Sequence, residues 1–196
     1  NLAAIYEIER TTQEEFAVES HRKAANADFT DVIIPITTTD GVVSTDVCIR
    51  PDSNASSLAR LKPAFKADGS VTAGTSSPLT DGAAFVLVCS DEFARTQGLK
   101  ILASIESTAV SGCSPEIMGI GPVGASQKAL ARAGVGLEDI DVIELNEAFS
   151  AQSLAVIEEL GIDTSKVNID GGALALGHPL GASGARIVGR AVTILT

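Results

Sequence analysis

The sequence predicts an α/β fold, and three observations carry that expectation. The last third alternates strand, helix, strand, helix: Asp141 to Leu145, Glu147 to Leu160 with Gly161 after it, Lys166 to Ile169, and Ala182 to Leu195. That order predicts a parallel, right-handed layer. The runs Ala83 to Val88 and Leu99 to Ser111 are continuously apolar or β-branched, the pattern of strands buried on both faces. Val123 to Ala133, closed by Gly134, reads as a helix with its stop signal.

Upstream, Thr12 stands as an N-cap with Glu15 three residues later, ahead of Phe16, Ala17, His21 and Ala24 at helical intervals. A helix over Thr12 to Ala27 is expected, with His21 on a solvated face among charged neighbours. Asp31 to Ile36 is a β-branched run interrupted by Pro35, the signature of an edge strand. Thr37 to Ser57 is rich in Thr, Ser, Asp and Gly and reads as loop, with a brief helix at Ser56 to Leu61.

Composition narrows the function classes. The chain has 196 residues, 25 acidic and 14 basic side chains and a formal charge of −11, with 45% of its residues hydrophobic. An acidic total without a basic, aromatic-interleaved stripe argues against nucleic acid as a general partner. No apolar run reaches the ~18 residues of a membrane span. The three cysteines, Cys48, Cys89 and Cys113, have no paired spacing, which excludes a disulfide scaffold. The sequence begins at Asn1 without an initiator Met and stops at Thr196 inside an apolar helical pattern, so the chain is expected to be cut at both ends.

In open α/β sheets ligands bind beyond the carboxyl ends of the strands, where helix N-termini aim free amides at the site. Two polar residues occupy such ends. Asn146 follows the strand ending at Leu145, and its amide can donate a hydrogen bond or hold a water. His178 lies in Gly171-Gly-Ala-Leu-Ala-Leu-Gly-His-Pro-Leu-Gly-Ala-Ser-Gly184, whose five glycines suit a sharply bent backbone approaching a ligand. An imidazole there can polarise a carbonyl oxygen or activate a nucleophile. The alternatives stay open on the residues alone: a structural histidine, an Asn146 that is merely an N-cap, and a Glu147 that is merely a favourable first-turn charge. No Gly-Lys-Ser/Thr ending supports nucleotide triphosphate hydrolysis.

Asn146-Glu-Ala-Phe149 and Asn168-Ile-Asp-Gly-Gly-Ala-Leu-Ala-Leu-Gly-His-Pro-Leu-Gly-Ala-Ser-Gly-Ala-Arg186 resemble the two C-terminal signatures of thiolases. Ile117 to Pro122, Gly69 to Gly74 with Leu79 to Gly82, and the helix around Gln13 to Ser20 are also thiolase-like, so the resemblance covers nearly the whole chain. It implies a layered α/β fold of mixed sheets and helices, incomplete at both ends. Residues 1–70 would belong to the CoA-binding loop region, 71–97 to the last strands of the N-terminal half, and 98–196 to a truncated C-terminal half.

The activity implied is that of an acyl-CoA C-acyltransferase: thiolytic cleavage of a 3-oxoacyl-CoA, or the reverse Claisen condensation. Acyl-CoA and CoA are then substrates, no cofactor is required, and the full-length protein is a homo-oligomer, dimer or tetramer, of cytoplasmic location. In thiolases one cysteine is acylated and a second, in a Cys-x-Gly-Gly-Gly segment, moves the α-carbon proton. The family histidine, matched by His178, activates the nucleophile and donates to the thioester oxygen, and the family asparagine, matched by Asn146, holds a water completing the oxyanion site. For CoA the resemblance implies Ser77 at the pantetheine arm, Ala148, Phe149 and Phe65 along the tunnel, and Arg50 and Ser57 toward the adenine and phosphate end. This sequence departs from the family in Ser76-Ser77-Pro78, where thiolases have a small residue, Ser and Gly, and it contains neither catalytic cysteine motif. The 196 residues alone are therefore expected to be inactive. The competing reading is a short, non-catalytic acyl-CoA-binding or assembly protein. A ketoacyl synthase is disfavoured because that group has a second histidine where Asn146 stands.

Overall fold

The computed structural model describes residues 1–196. Its framework is a set of helices: α1 (Leu2–Ile5), α2 (Arg10–Asn26), α3 (Ala55–Leu58), α4 (Asp91–Thr96), α5 (Gly121–Ala133), α6 (Ser150–Leu160), α7 (Ala173–Leu176) and α8 (Leu180–Leu195). One antiparallel hairpin, β1 (Ile36–Thr38) with β2 (Gly41–Val43), pairs Ile36 with Val43 and Thr38 with Gly41. The two long helices predicted near the middle and the end of the chain form as expected, and Gly134 and Gly161 stop α5 and α6 in the left-handed conformation at φ 72° and 65°.

Helix α2 organises the packing. Gln13, Ala17, Ser20, His21 and Ala24 recur at helical spacing and are all buried. Small and polar side chains fill this stripe because α2 lies close against the loop and helix α7. Ala17 packs with Leu58 and Leu174, and Ala24 with Ala175 and Leu176. The largest apolar cluster, Leu145, Val156, Ile157, Ile162 and Val167, joins α6 to the two chain segments that flank it. At about 25 cal/mol per Å² of apolar area, this small core is the main cohesive contribution in the C-terminal half.

Four local expectations are corrected here. Helix α2 begins at Arg10 with Glu9 as its cap, so Thr12 lies inside the helix and caps nothing. His21 is 7% exposed rather than solvated, because it sits on the buried stripe and its Nδ1 accepts the Arg50 amide at 3.1 Å. The edge strand at Asp31 to Ile36 does not form; pairing begins at Ile36, after the proline, where the backbone can donate. Cys89 follows the apolar run Ala83 to Val88, where a free cysteine is expected to be an inert buried hydrophobe, but it is exposed.

The predicted strands also fall short of a sheet. Asp141 to Leu145 and Lys166 to Ile169 meet in a single parallel bridge, Ile143 to Val167, with Ile143 N donating to Lys166 O (2.8 Å) and Asn168 N to Ile143 O (2.9 Å). Ala83 to Val88 and Leu99 to Ser111 form no ladder, and Phe85, Leu87, Val88, Leu102, Ile105 and Val110 are exposed. A continuously apolar strand is stable only with neighbours on both edges and covers on both faces, and these 196 residues supply neither to those two runs. The isolated chain is accordingly expected to bind a hydrophobic dye and to self-associate as concentration rises, observable by light scattering; a monodisperse, cooperatively melting monomer would contradict this.

Candidate active site

Asn146 and His178 are brought together. Asn146 leaves the Ile143 bridge at the strand's carboxyl end, and His178 follows α7 in the glycine-rich loop; Asn146 Nδ2 lies 3.3 Å from His178 Nε2. Neither bland alternative holds for the first pair of residues: α6 starts at Ser150 with Phe149 as its cap, so Asn146 is not an N-cap and Glu147 is not a first-turn charge.

Hydrogen-bond direction assigns the imidazole tautomer. Ser183 Oγ lies 3.1 Å from Pro179 O, a carbonyl that can only accept, so the single hydroxyl proton is donated there. Asn146 Nδ2 can only donate, so His178 Nε2 accepts from it and Nδ1, 2.7 Å from the same Oγ, donates to Ser183. Nδ1 carries the proton, and the Nε2 lone pair faces Asn146, whose Nδ2 donates to it. Asn146 Oδ1 is buried without a partner, an acceptor turned toward whatever donor occupies the site. The pair can take a proton on Nε2 and, with Nε2 protonated, present two N–H donors to one developing oxyanion.

His21 holds the opposite tautomer, since its Nδ1 accepts a backbone amide; its buried position also holds its pKa below the ordinary histidine value. As the chain has two histidines, their ring nitrogens are separately assignable in an imidazole ¹⁵N spectrum. We expect His178 protonated at Nδ1 and His21 at Nε2. Ser183→Ala is expected to release only His178 into tautomer exchange; a spectrum unchanged by that substitution would contradict the assignment. Ser183 was missed in the sequence, although its five-residue spacing from His178, with one helical turn between them, was a readable signal.

The substrate-binding candidates divide into two groups. Ser77 N donates to Ala148 O (3.0 Å), Ser76 bridges to Phe149, and Phe65 meets the Phe149 ring edge-on with centroids 5.8 Å apart. Ser77, Ala148, Phe149 and Phe65 therefore form one wall directly beside Asn146. Pro78 has no N–H to offer, but the Ser77 amide before it keeps its partner. The same segment continues against the histidine loop, where a Cβ on Gly82 would lie 2.8 Å from Pro179 Cγ. Arg50 and Ser57 do not join this group. Arg50 is exposed and its backbone is tied to His21, while Ser57 is spent on α3, donating to Asn54 O at 2.8 Å in a capping box.

Two buried carboxyls sit behind the pair. Glu147 accepts hydrogen bonds from Ser20, Asn168 and the Leu174 amide; burial pushes its pKa up against those donors. Glu144 has both oxygens buried without partners, beside Arg186, whose Nε and Nη2 are also unpartnered. Burial pushes the Glu144 pKa up to about 7, with Arg186 and Arg190 opposing. A folded-state value above the ordinary 4.5 means that the folded protein binds the extra proton between those values. Glu144 thus contributes stability that is complete below about pH 4.5 and is lost as the pH rises through about 7. The difference in unfolding free energy between wild type and Glu144→Gln is expected to change by roughly 3 kcal/mol across that window, at ~1.4 kcal/mol per pKa unit. Urea melts of both proteins at a series of pH values measure it, and a pH-independent difference would refute it.

Comparison with known proteins bears on this arrangement. Residues 1–92 match the thiolase N-terminal domain and residues 99–196 the thiolase C-terminal domain. The chain is 49% identical to an acetyl-CoA acetyltransferase of Chromobacterium violaceum over 100% of its own length and 51% of the relative's. It is 52% identical to a 3-ketoacyl-CoA thiolase of Serratia proteamaculans over 95% of its length and 51% of the relative's. Among solved structures, a Bacillus anthracis acetyl-CoA acetyltransferase superposes with a TM-score of 0.94 at 46% identity, covering 100% of this chain and 52% of the other. Human mitochondrial 3-ketoacyl-CoA thiolase in complex with CoA gives 0.94 at 41% identity, covering 100% and 50%. The chain spans about half the length of the curated relatives it matches.

Proposed function

Because the chain belongs to the thiolase family, we propose that it forms the CoA-facing and oxyanion-stabilising part of an acyl-CoA C-acyltransferase that cleaves a 3-oxoacyl-CoA with CoA or runs the reverse condensation. The observation that supports this best is the Asn146–His178 pair, in which an amide donor meets a basic imidazole nitrogen at 3.3 Å beside the Ser77–Phe149 wall. His178 Nε2 takes the proton of a thiol nucleophile and, as a donor, stabilises the thioester oxygen together with Asn146 or a water on its free Oδ1. Ser77, Ala148, Phe149 and Phe65 line the path of the acyl-CoA; Arg50 and Ser57, which stand apart from that wall, are assigned to the phosphate and adenine end on the family resemblance alone.

The nucleophile is a cysteine outside these 196 residues. All three cysteines are free thiols, Cys113 Sγ donating to Met118 O at 3.6 Å, and the ring nitrogens of His178 face Asn146 and Ser183 instead. No cofactor besides the CoA substrate is needed. The full-length protein works as a cytoplasmic homo-oligomer.

The test is a thiolysis assay with acetoacetyl-CoA and CoA, paired with sequencing of the DNA on both sides of this segment. The expected result is a cysteine-containing N-terminal half, a Cys-x-Gly-Gly-Gly ending, turnover by the full-length product and none by the 196 residues alone. Full activity of the isolated chain would overturn the assignment of the nucleophile, and start and stop codons near Asn1 and Thr196 would favour the non-catalytic acyl-CoA-binding alternative.

A further inference from the structure

Glu147 is 2% exposed, and its carboxylate is surrounded by donors from three parts of the chain. Ser20 Oγ on α2 donates to Oε2 at 2.7 Å, the Leu174 amide on α7 donates to the same oxygen at 3.1 Å, and Asn168 Nδ2 donates to Oε1 at 2.8 Å. Each donor is itself fixed. Ser20 Oγ also accepts the Gly172 amide at 3.1 Å, and the second Asn168 Nδ2 proton goes to Leu145 O at 2.8 Å while its Oδ1 accepts Leu145 N at 2.8 Å. Asn168 holds this two-way clasp at φ 43°, a left-handed conformation that asparagine tolerates better than most residues.

The clasp has a direction. Glu147 is covalently next to Asn146, Leu145 precedes it, and Gly172 and Leu174 lead into the loop that carries His178. We propose that Glu147 is the positioning residue of the Asn146–His178 pair: its carboxylate ties the end of the Asn146 segment to the start of the histidine loop and so sets the Nδ2 to Nε2 separation. The catalytic consequence rests on the thiolase reading above, but the geometric claim does not. A carboxylate is required because the three groups in reach all donate to it, whereas an amide of the same shape must turn its own N–H₂ toward one of them. A side chain that merely filled space would tolerate that exchange.

Asn146→Ala calibrates the experiment, since it removes the donor to His178 Nε2 outright. In imidazole ¹⁵N spectra of the full-length protein, Glu147→Gln is expected to move the His178 Nε2 resonance at least halfway toward its position in Asn146→Ala, with His178 Nδ1 and both His21 nitrogens unmoved. Ser20→Ala, which deletes one donor and leaves the carboxylate, is expected to move Nε2 in the same direction by less. Coincidence of Nε2 in Glu147→Gln and wild type would overturn the proposal. So would collapse of both histidines in Glu147→Gln with no change at Nε2 in Ser20→Ala, because that pattern is global loosening. A full-length protein without thiolysis would overturn the functional reading and leave this signature intact.

Discussion

His178→Ala in the full-length protein is expected to lower kcat for thiolysis by about 10²- to 10⁴-fold, the range for loss of a positioned general acid–base, with a much smaller change in KM for CoA. The imidazole has two tasks in the proposed chemistry, accepting the thiol proton and donating to the developing oxyanion, and no neighbour duplicates the first. Asn146 can only donate or hold water, so Asn146→Ala is expected to cost less, about 10²- to 10³-fold, as for one oxyanion donor. Both side chains are partly exposed and neither belongs to an apolar cluster, so the melting temperature should change little. Steady-state kinetics and a thermal melt of each variant separate the outcomes. A His178→Ala enzyme within a few-fold of wild type would remove His178 from the mechanism.

Gly172→Ala is expected to destabilise the fold by about 3 kcal/mol or more. A Cβ at this position would fall inside van der Waals contact with the Glu147 carboxyl group. The carboxylate cannot swing aside cheaply, because that breaks hydrogen bonds from Ser20, Asn168 and Leu174 that are all buried. Overpacking a tight site costs about 1–3 kcal/mol, and losing a buried charge-assisted hydrogen bond about 1.5–3 kcal/mol. Equilibrium urea unfolding measures the sum; a Gly172→Ala loss below about 1 kcal/mol would show that the carboxylate has room to relax. Gly181→Ala, nine residues along in the same glycine-rich loop, is the control, since nothing lies within 4 Å of a Cβ there.

These two residues show what could be read in advance. His178 and Asn146 stand at strand ends in distinctive surroundings, so their candidacy followed from local pattern and from resemblance. The helices α5, α6 and α8 were legible for a similar reason, since periodic apolar residues, and for α5 and α6 a following glycine, act within a few residues of themselves. The strands were legible as apolar runs but not as a sheet, because pairing depends on a neighbour that no local window contains. Glu147 was misjudged for the same reason. By position it looked like a first-turn charge, yet α6 begins three residues later and its partners lie 21, 27 and 127 residues away.

By itself, the sequence determined the α/β class, the absence of any span long and apolar enough to cross a membrane as a helix, the family resemblance and the identity of the Asn146–His178 pair. Each follows from composition, periodicity or a contiguous motif. Only the tertiary structure decided that His21 is buried, that Ser183 sets the His178 tautomer, and that a carboxylate next to Asn146 is bound by donors from α2, α7 and Asn168. Desolvation and hydrogen-bond partnership are properties of groups far apart in the chain, and they exist only once folding has placed those groups within hydrogen-bond reach of one another.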